Sequence, residues 1–188
     1  MQTIHYVTTN KGKVEILNNI IKDIETKIKF EILDYDYPED KSDDTVETVA
    51  LEGAEYCANK FNKEVIVTDT GLFIRPLNGF PGVNTAFTLK RIGKEGIIKL
   101  MEDMDKREAE VKVALAYCRP NYKPELFLTV VKGSISTEIR GTLGFGFDPV
   151  FVPEGYAKTF GEDPELRDRL MGYRNSIVKF VEWYDKKV

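Results

Sequence analysis

Ile4–Lys13 reads IHYVTTNKGK and joins a short, partly apolar run to a polar turn. Ile4–Thr8 predicts a strand, and apolar residues at helical spacing across Lys13–Ile24 predict a helix directly after it. The start of a helix presents free backbone N–H groups and the positive end of its dipole, which attract phosphate. Lys13 adds a mobile cation and Asn10 adds a hydrogen-bond donor. The turn is therefore a candidate phosphate site, although many strand–helix turns carry Asn and Lys without any ligand.

The rest of the chain alternates strands with helices early and places strands next to one another late. This order predicts an α/β fold with a mixed sheet flanked by helices, built as a single domain over residues 1–188. In such sheets, ligands bind beyond the carboxyl ends of strands. The predicted strands are Lys29–Leu33, Val65–Thr68, Val111–Tyr117, Leu126–Val131 (a central one) and Pro149–Val152. The predicted helices are Val46–Phe61, Gly93–Met104 and Arg174–Trp183, with loops at Asp34–Asp44 and Gly71–Gly82.

The composition is that of an ordinary globular chain and excludes several kinds of protein. Apolar residues make up 42%, charged residues 31%, and the net charge is −4 without a long basic run, which argues against a nucleic-acid polymer as partner. No apolar stretch approaches membrane-spanning length, and the N-terminus lacks a signal-peptide pattern. Two distant cysteines, Cys57 and Cys118, indicate reduced thiols in a cytoplasmic protein. The single histidine excludes multi-histidine zinc sites, so any metal should be a hard cation on carboxylates, which favours Mg²⁺.

Two carboxylates are the candidates for metal binding and proton transfer. Asp69 follows the predicted strand Val65–Thr68, where it could hold Mg²⁺ or act as a general base toward water. The alternative for Asp69 is a turn-forming residue before Gly71. Asp36 lies early in a polar loop after another strand, and its alternative is a solvated acid among many others.

A glycine–aromatic loop, Gly144–Pro149 (GFGFDP), is the most specific local pattern in the chain. Its two glycines allow a close approach of the backbone to a ligand. An aromatic ring there can stack on a purine, and Asp148 can accept hydrogen bonds from a base or a sugar. The alternative is a tight turn whose phenylalanines belong to the core.

These motifs, in this order, resemble the Ham1-type inosine/xanthosine triphosphate pyrophosphatases over nearly the whole chain. The resemblance implies an elongated mixed sheet between two helical lobes, a central cleft and a homodimer. It also implies Mg²⁺-dependent attack of water on the α-phosphate, which releases a nucleoside monophosphate and pyrophosphate. The matching segments are Thr8–Lys13, Asp69–Leu72, Leu77–Gly82, Gly144–Phe151, Lys158–Phe160 and Arg174.

The resemblance also implies roles for single residues. Asp69 would be the catalytic carboxylate, and Asp36 its partner in holding metal. Arg174 would help to read the six-position oxygen of the base. The other substrate-binding residues would be Thr8, Asn10, Lys13 and Thr70 on the phosphates, and Phe145, Gly146, Phe147 and Asp148 around the base.

The chain departs from the family pattern at several charged positions. It lacks an acid at Thr68, lysines at Gly53 and Asp168, a basic residue at Ala86, and the Ser-His pair where Gly172 and Tyr173 stand. A lost charge-assisted contact costs about 1.5–3 kcal/mol. Three hypotheses therefore stand: a pyrophosphohydrolase with a divergent pocket, a non-catalytic nucleotide-binding protein, and a hydrolase of another phosphorylated metabolite. Candidate replacement cations, each also interpretable as a surface charge, are Arg75, Lys90, Arg91, Arg167 and Arg169.

Overall fold

A computed structural model describes residues 2–39, 45–144 and 146–187. The described residues form one mixed sheet with strand order β2-β1-β3-β5-β6-β7, and β4 pairs with β3. The strands are β1 (Gln2–Val7), β2 (Ile28–Leu33), β3 (Val65–Ile74), β4 (Pro81–Gly82), β5 (Glu108–Cys118), β6 (Glu125–Ile135) and β7 (Phe151–Pro153). The helices are α1 (Lys11–Lys22), α2 (Val46–Phe61), α3 (Thr85–Leu100), α4 (Pro164–Leu170) and α5 (Gly172–Asp185). The predicted α/β class with a mixed sheet is confirmed.

The chain divides into two compact units, and the first comprises residues 1–69, 113–129 and 173–188. Its sheet portion places β1 between β2 and β3, and both of those pairings are parallel. Helix α2 buries its small and apolar face, including Val49, Ala54 and Cys57. At the other end of this unit, the ring of Phe180 packs within 6.4 Å of Phe30 and 5.6 Å of Phe127, measured between ring centroids.

The second unit comprises residues 70–112 and 130–172. Arg107 links two segments of this unit. Its three guanidinium nitrogens donate to the carbonyls of Met101, Ile135 and Ser136, each at 2.7 Å. Phe151 is fully buried beside Phe160, with ring centroids 5.3 Å apart. This unit therefore has a core of its own.

Several predicted boundaries are wrong, most importantly the end of the third strand. β3 does not stop at Thr68 but runs to Ile74, because Leu72 and Phe73 pair with Gly82 and Pro81 of β4. Much of the predicted loop Gly71–Gly82 is therefore strand, and Asp69 lies within β3 rather than at its end.

Three further elements differ from the sequence prediction. α3 begins at Thr85, eight residues before the predicted start at Gly93. α4 was missed altogether, because its seven residues are too few for a helical periodicity to stand out. β6 is not central, since only the short β7 lies beyond it and much of its surface is exposed. Within the described ranges, every helix is too short or too polar to cross a bilayer.

Candidate active site

The candidate active site lies at one edge of the sheet in the first unit, where β1 and β2 end. β1 and β3 are parallel, with Tyr6 opposite Ile66, and continuing this register places Asp69 level with Thr9. Val7 is opposite Leu33, so the segment after β2 leaves the sheet at the same edge. Asp69 therefore stands just beyond the end of β1, although its own strand continues.

The turn after β1 is shaped by its own polar side chains. Asn10 caps α1: its Oδ1 accepts hydrogen bonds from the backbone N–H groups of Gly12 at 2.9 Å and Lys13 at 3.3 Å. Thr8 is buried, and its Oγ1 accepts from the N–H of Asn10 at 3.1 Å. The turn thus brings the N-terminus of α1 to the sheet edge, as the sequence predicts, with the Asn10 side chain oxygen engaged as a cap.

Lys13 reaches from α1 to the strand that carries Asp69. Its Nζ donates to the main-chain carbonyl of Thr68 at 2.6 Å. The hydroxyl of Thr68 shares a 2.6 Å hydrogen bond with the phenol of Tyr6 on β1. Burial, and then the nearby Tyr173 phenol, raise the pKa of Tyr6 above its ordinary value. Thr68, which stands where the family pattern has an acid, is therefore contacted by the Tyr6 hydroxyl and the Lys13 ammonium.

Asp69 is buried, and its charge acts on the phenol of Tyr37. Only 7% of Asp69 is exposed. Burial, followed by the charges of Glu39 and Asp69, raises the pKa of the Tyr37 phenol, which also donates a hydrogen bond to Glu39. Glu39, an exposed acid at the end of the acidic stretch after β2 that the sequence analysis did not single out, thus acts on the same tyrosine as Asp69.

The donor set suits a hard divalent cation that the substrate helps to bind. Asp36, the predicted partner of Asp69, is exposed in the same segment as Glu39. Among residues 2–39, 45–144 and 146–187, no three His, Cys, Asp or Glu side chains gather closely enough to hold a metal together. Mg²⁺ is commonly bound by one or two carboxylates together with substrate phosphates, and Asp69 with either Asp36 or Glu39 would supply that number.

The glycine–aromatic loop belongs to the second unit and folds onto its own carboxylate. Gly144 and Gly146 have φ of 75° and 64°, and a Cβ at Gly144 would overlap the carboxyl group of Asp148. Asp148 is 1% exposed and accepts from Nε of Arg167 at 2.7 Å. Phe147 is buried, with its ring centroid 6.3 Å from that of Phe151. Phe145 lies outside the described residues.

Two further predicted positions are Arg174 and Thr70. Nη1 of Arg174 lies 3.0 Å from Oδ2 of Asp23, the residue that ends α1. Thr70 is half-buried in β3 directly after Asp69.

The structure shows what lies beside two of the positions that depart from the family pattern, Gly53 and Asp168. A Cβ at Gly53 would come within 2.5 Å of Cε2 of Tyr37, so the tyrosine ring occupies the space beside this glycine. The Asp168 carboxylate is 76% exposed and pairs with Nη1 of Arg167 at 3.1 Å. Arg167, one of the candidate replacement cations, is 8% exposed and therefore is not the surface charge of the alternative interpretation.

Comparison with known proteins places this arrangement in a family context. Residues 4–183 match the model of the Ham1 family. The chain is 44% identical over 182 residues to a dITP/XTP pyrophosphatase of Methanothermobacter marburgensis, covering 96% of this chain and 95% of that one. It is 40% identical to a dITP/XTP pyrophosphatase of Methanosarcina acetivorans, with both chains covered completely. The Ham1 protein of Staphylococcus aureus has the same fold, with a TM-score of 0.85 at 24% identity and complete coverage of both chains.

Proposed function

Because this chain belongs to the Ham1 family, we propose that it hydrolyses non-standard purine nucleoside triphosphates to a nucleoside monophosphate and pyrophosphate. Relatives named dITP/XTP pyrophosphatases that align over nearly the entire chain support this activity. The single structural observation that supports it is the ammonium of Lys13, which lies 2.6 Å from the carbonyl of Thr68, the residue directly before the buried Asp69. A cation that can bind phosphate thus contacts the strand whose next residue is a carboxylate that can bind metal.

We propose separate roles for the residues that bind phosphate and for the carboxylate Asp69. The N-terminus of α1, with Thr8 and Asn10 shaping its turn, and the Lys13 ammonium bind the phosphates. Asp69 holds the metal or accepts the proton of the attacking water. When bound, Mg²⁺ would supply Lewis-acid stabilisation of the charge that develops on the phosphate oxygens.

The remaining substrate contacts stay proposals. Thr70 would assist at the phosphates. Arg174 would read the base, which requires it to exchange its surface partner Asp23 for the ligand. The loop residues Phe145, Gly146, Phe147 and Asp148 would surround the base, with Asp148 and Phe147 shaping the loop from inside rather than presenting free faces.

We further propose that the whole chain acts as one catalytic domain, that the metal is Mg²⁺, and that the protein is a cytoplasmic homodimer. Cys57 and Cys118 are buried and not joined in a disulfide, which fits a reducing compartment.

The activity is tested with purified protein, Mg²⁺ and a panel of dITP, XTP, ITP and ATP, followed by chromatography of the products. We expect a monophosphate and pyrophosphate in equal amounts. Asp69→Asn should lower kcat/KM by about a hundredfold or more, equal to about 2.7 kcal/mol of transition-state stabilisation. Stoichiometric orthophosphate, or full activity of a correctly folded Asp69→Asn protein, would contradict the assignment.

The second metal carboxylate is tested with a matched pair of variants, Glu39→Gln and Asp36→Asn. Glu39 and Asp69 both act on the phenol of Tyr37. We therefore expect Glu39→Gln to raise the Mg²⁺ concentration that gives the half-maximal rate. The increase should be about tenfold or more, because that is the usual cost of losing one charged ligand contact. Asp36→Asn should change it little. The reverse result would return the role to Asp36, the candidate of the sequence.

A further inference from the structure

The first unit contains a cavity of about 640 Å³ that shares no residue with the proposed active site. We call it the Trp183 cavity. Its lining includes Glu64, Tyr117, Arg119, Tyr122, Trp183 and Tyr184. All of these belong to the first unit, so the cavity is formed within one compact body of the protein.

One side of the Trp183 cavity is a fixed aromatic wall. The ring of Trp183 lies 5.6 Å from Tyr117 and 5.4 Å from Phe127 between centroids, and both contacts are edge-to-face. Phe180, which is fully buried, packs behind Tyr117 at 5.3 Å. Because the wall is held by the core, a flat ligand could stack on it without first ordering the aromatic side chains. On the face of Trp183 it would displace the Lys187 ammonium, which lies 4.0 Å from the ring centroid.

A carboxylate whose oxygens are already used forms the floor. Oε2 of Glu64 accepts hydrogen bonds from the phenols of Tyr117 at 2.5 Å and Tyr184 at 3.0 Å, and Oε1 accepts from the amide of Gln2 at 2.7 Å. Burial, and then the hydrogen bond to Glu64, raise the pKa of Tyr184 to about 12. Both phenols therefore remain protonated at neutral pH, and each donates its hydrogen bond to Glu64.

The rim of the cavity carries cations whose positions are set by aromatic rings. The guanidinium of Arg119 lies 4.2 Å from the ring centroid of Tyr122, and Nζ of Lys187 lies 4.0 Å from that of Trp183. Lys187 also lies 3.7 Å from a carboxylate oxygen of Glu125. In the part of the chain that the structure describes, Arg119 and Lys123 have no carboxylate partner. Three cations thus line the cavity with two carboxylates, one of which, Glu64, already accepts three hydrogen bonds.

We propose that the Trp183 cavity is a second ligand site that takes a phosphorylated nucleoside, with its planar base against the aromatic wall and its phosphate on Arg119 and Lys123. A planar base can stack on the aromatic wall, because base–aromatic stacking is favourable for any base. A phosphate satisfies the unpaired cations, because guanidinium groups recognise it by charge-assisted hydrogen bonds. The inference does not rest on the proposed hydrolysis, since it concerns other residues and needs no turnover.

The test uses Trp183 itself as the reporter, because it is the only tryptophan of the chain. Adenosine 5′-monophosphate is titrated into the full-length protein with excitation near the red edge of indole absorption, where adenine does not absorb. We expect a saturable change in Trp183 emission. Adenosine alone and inorganic phosphate alone should each need at least a tenfold higher concentration, because each satisfies only half of the site.

Three variants decide between this cavity and other sources of the signal. Arg119→Ala should weaken the response at least tenfold. Arg91→Ala removes an arginine that is also stacked on an exposed ring, Phe87, but that does not line the cavity, and it should leave the response unchanged. Lys13→Ala, in the proposed active site, should also leave it unchanged.

The opposite results overturn the proposal. They are the absence of a saturable change up to millimolar ligand, equal responses of the wild type and a folded Arg119→Ala protein, binding of adenosine as tight as that of its monophosphate, or loss of the signal in Lys13→Ala.

Discussion

At the scale of single residues, Gly53 and Tyr37 explain each other. The ring of Tyr37 is buried against Gly53. The phenol of the same tyrosine donates a hydrogen bond to Glu39 and is also affected by the charge of Asp69. A lysine at position 53, as the family pattern has it, would have to displace this ring. The loss of one cation is therefore tied to the arrangement of the carboxylates at the sheet edge.

Gly53→Ala tests whether the Tyr37 ring is held in place. Alanine gains about 1 kcal/mol of helix propensity over glycine, while overpacking costs about 1–3 kcal/mol. We expect a net loss of stability of about 1 kcal/mol, measured from the midpoint of urea unfolding. Glu52→Ala, an exposed neighbour on α2, is the control and should stay within about 0.5 kcal/mol. A stabilised Gly53→Ala protein would show that the ring moves aside freely.

The buried pair of Asp148 and Arg167 is the second residue-scale feature with a measurable consequence. Arg167→Met should destabilise the protein by about 3–5 kcal/mol, because it leaves the Asp148 carboxylate buried without its cation. Arg169→Met, two residues along the same helix and exposed, serves as the control. Calorimetric unfolding of both variants checks the difference, and equal melting temperatures would mean that Asp148 finds another partner or water.

At the scale of elements, β3 and α3 show how tertiary pairing overrides local pattern. Asp69 and Gly71 are turn-favouring residues, yet they stay extended because β4 pairs with the next two residues of β3, Leu72 and Phe73. Gly71 suits this close pairing, since a Cβ there would come within 2.7 Å of the Gly82 carbonyl oxygen. Thr85 then ties the start of α3 to both strands, accepting from Leu72 N–H at 2.8 Å and donating to the Gly82 carbonyl at 2.6 Å.

Gly93 interrupts α3, and replacing it should be costly. Its φ of 68° and ψ of −172° lie in a region that is open essentially only to glycine. We expect Gly93→Ala to cost about 1–3 kcal/mol of stability. Lys99→Ala, on the exposed surface of the same element, should be nearly neutral. Urea unfolding of the two variants measures the contrast, and a neutral Gly93→Ala would mean that the two halves of α3 can join into one continuous helix.

At the scale of the whole molecule, the sequence was sufficient for the class of fold and the order of most elements. Helical spacing located α1, α2 and α5, short partly apolar runs located β1 and β2, and a β-branched run located the first half of β3. The order of strands in the sheet and the interior pairs could not be predicted, because they join residues far apart in the chain. Thr68 and Tyr6 are 62 positions apart, and Asp148 and Arg167 are 19 apart. Hydrophobic periodicity contains no information about such partners.

The same limit applied to the candidate site. Lys13, Asn10 and Asp69 were identified from local motifs, and α1 and β3 bring Lys13 next to Thr68 as the motifs suggested. Asp36 stays a prediction as the metal partner of Asp69, and Glu39 was not singled out, since only the fold reveals which acid of a polar segment interacts with Tyr37.

The contact between Lys13 and the Thr68 carbonyl has one more consequence. A peptide oxygen orients the ammonium but leaves its full charge in place, unlike a carboxylate, which would cancel it. An arriving polyanion would then have to break one dipolar contact rather than a direct ion pair before Lys13 can bind it. We expect added salt to slow the capture of substrate, because salt screens the attraction between the Lys13 ammonium and the incoming phosphates.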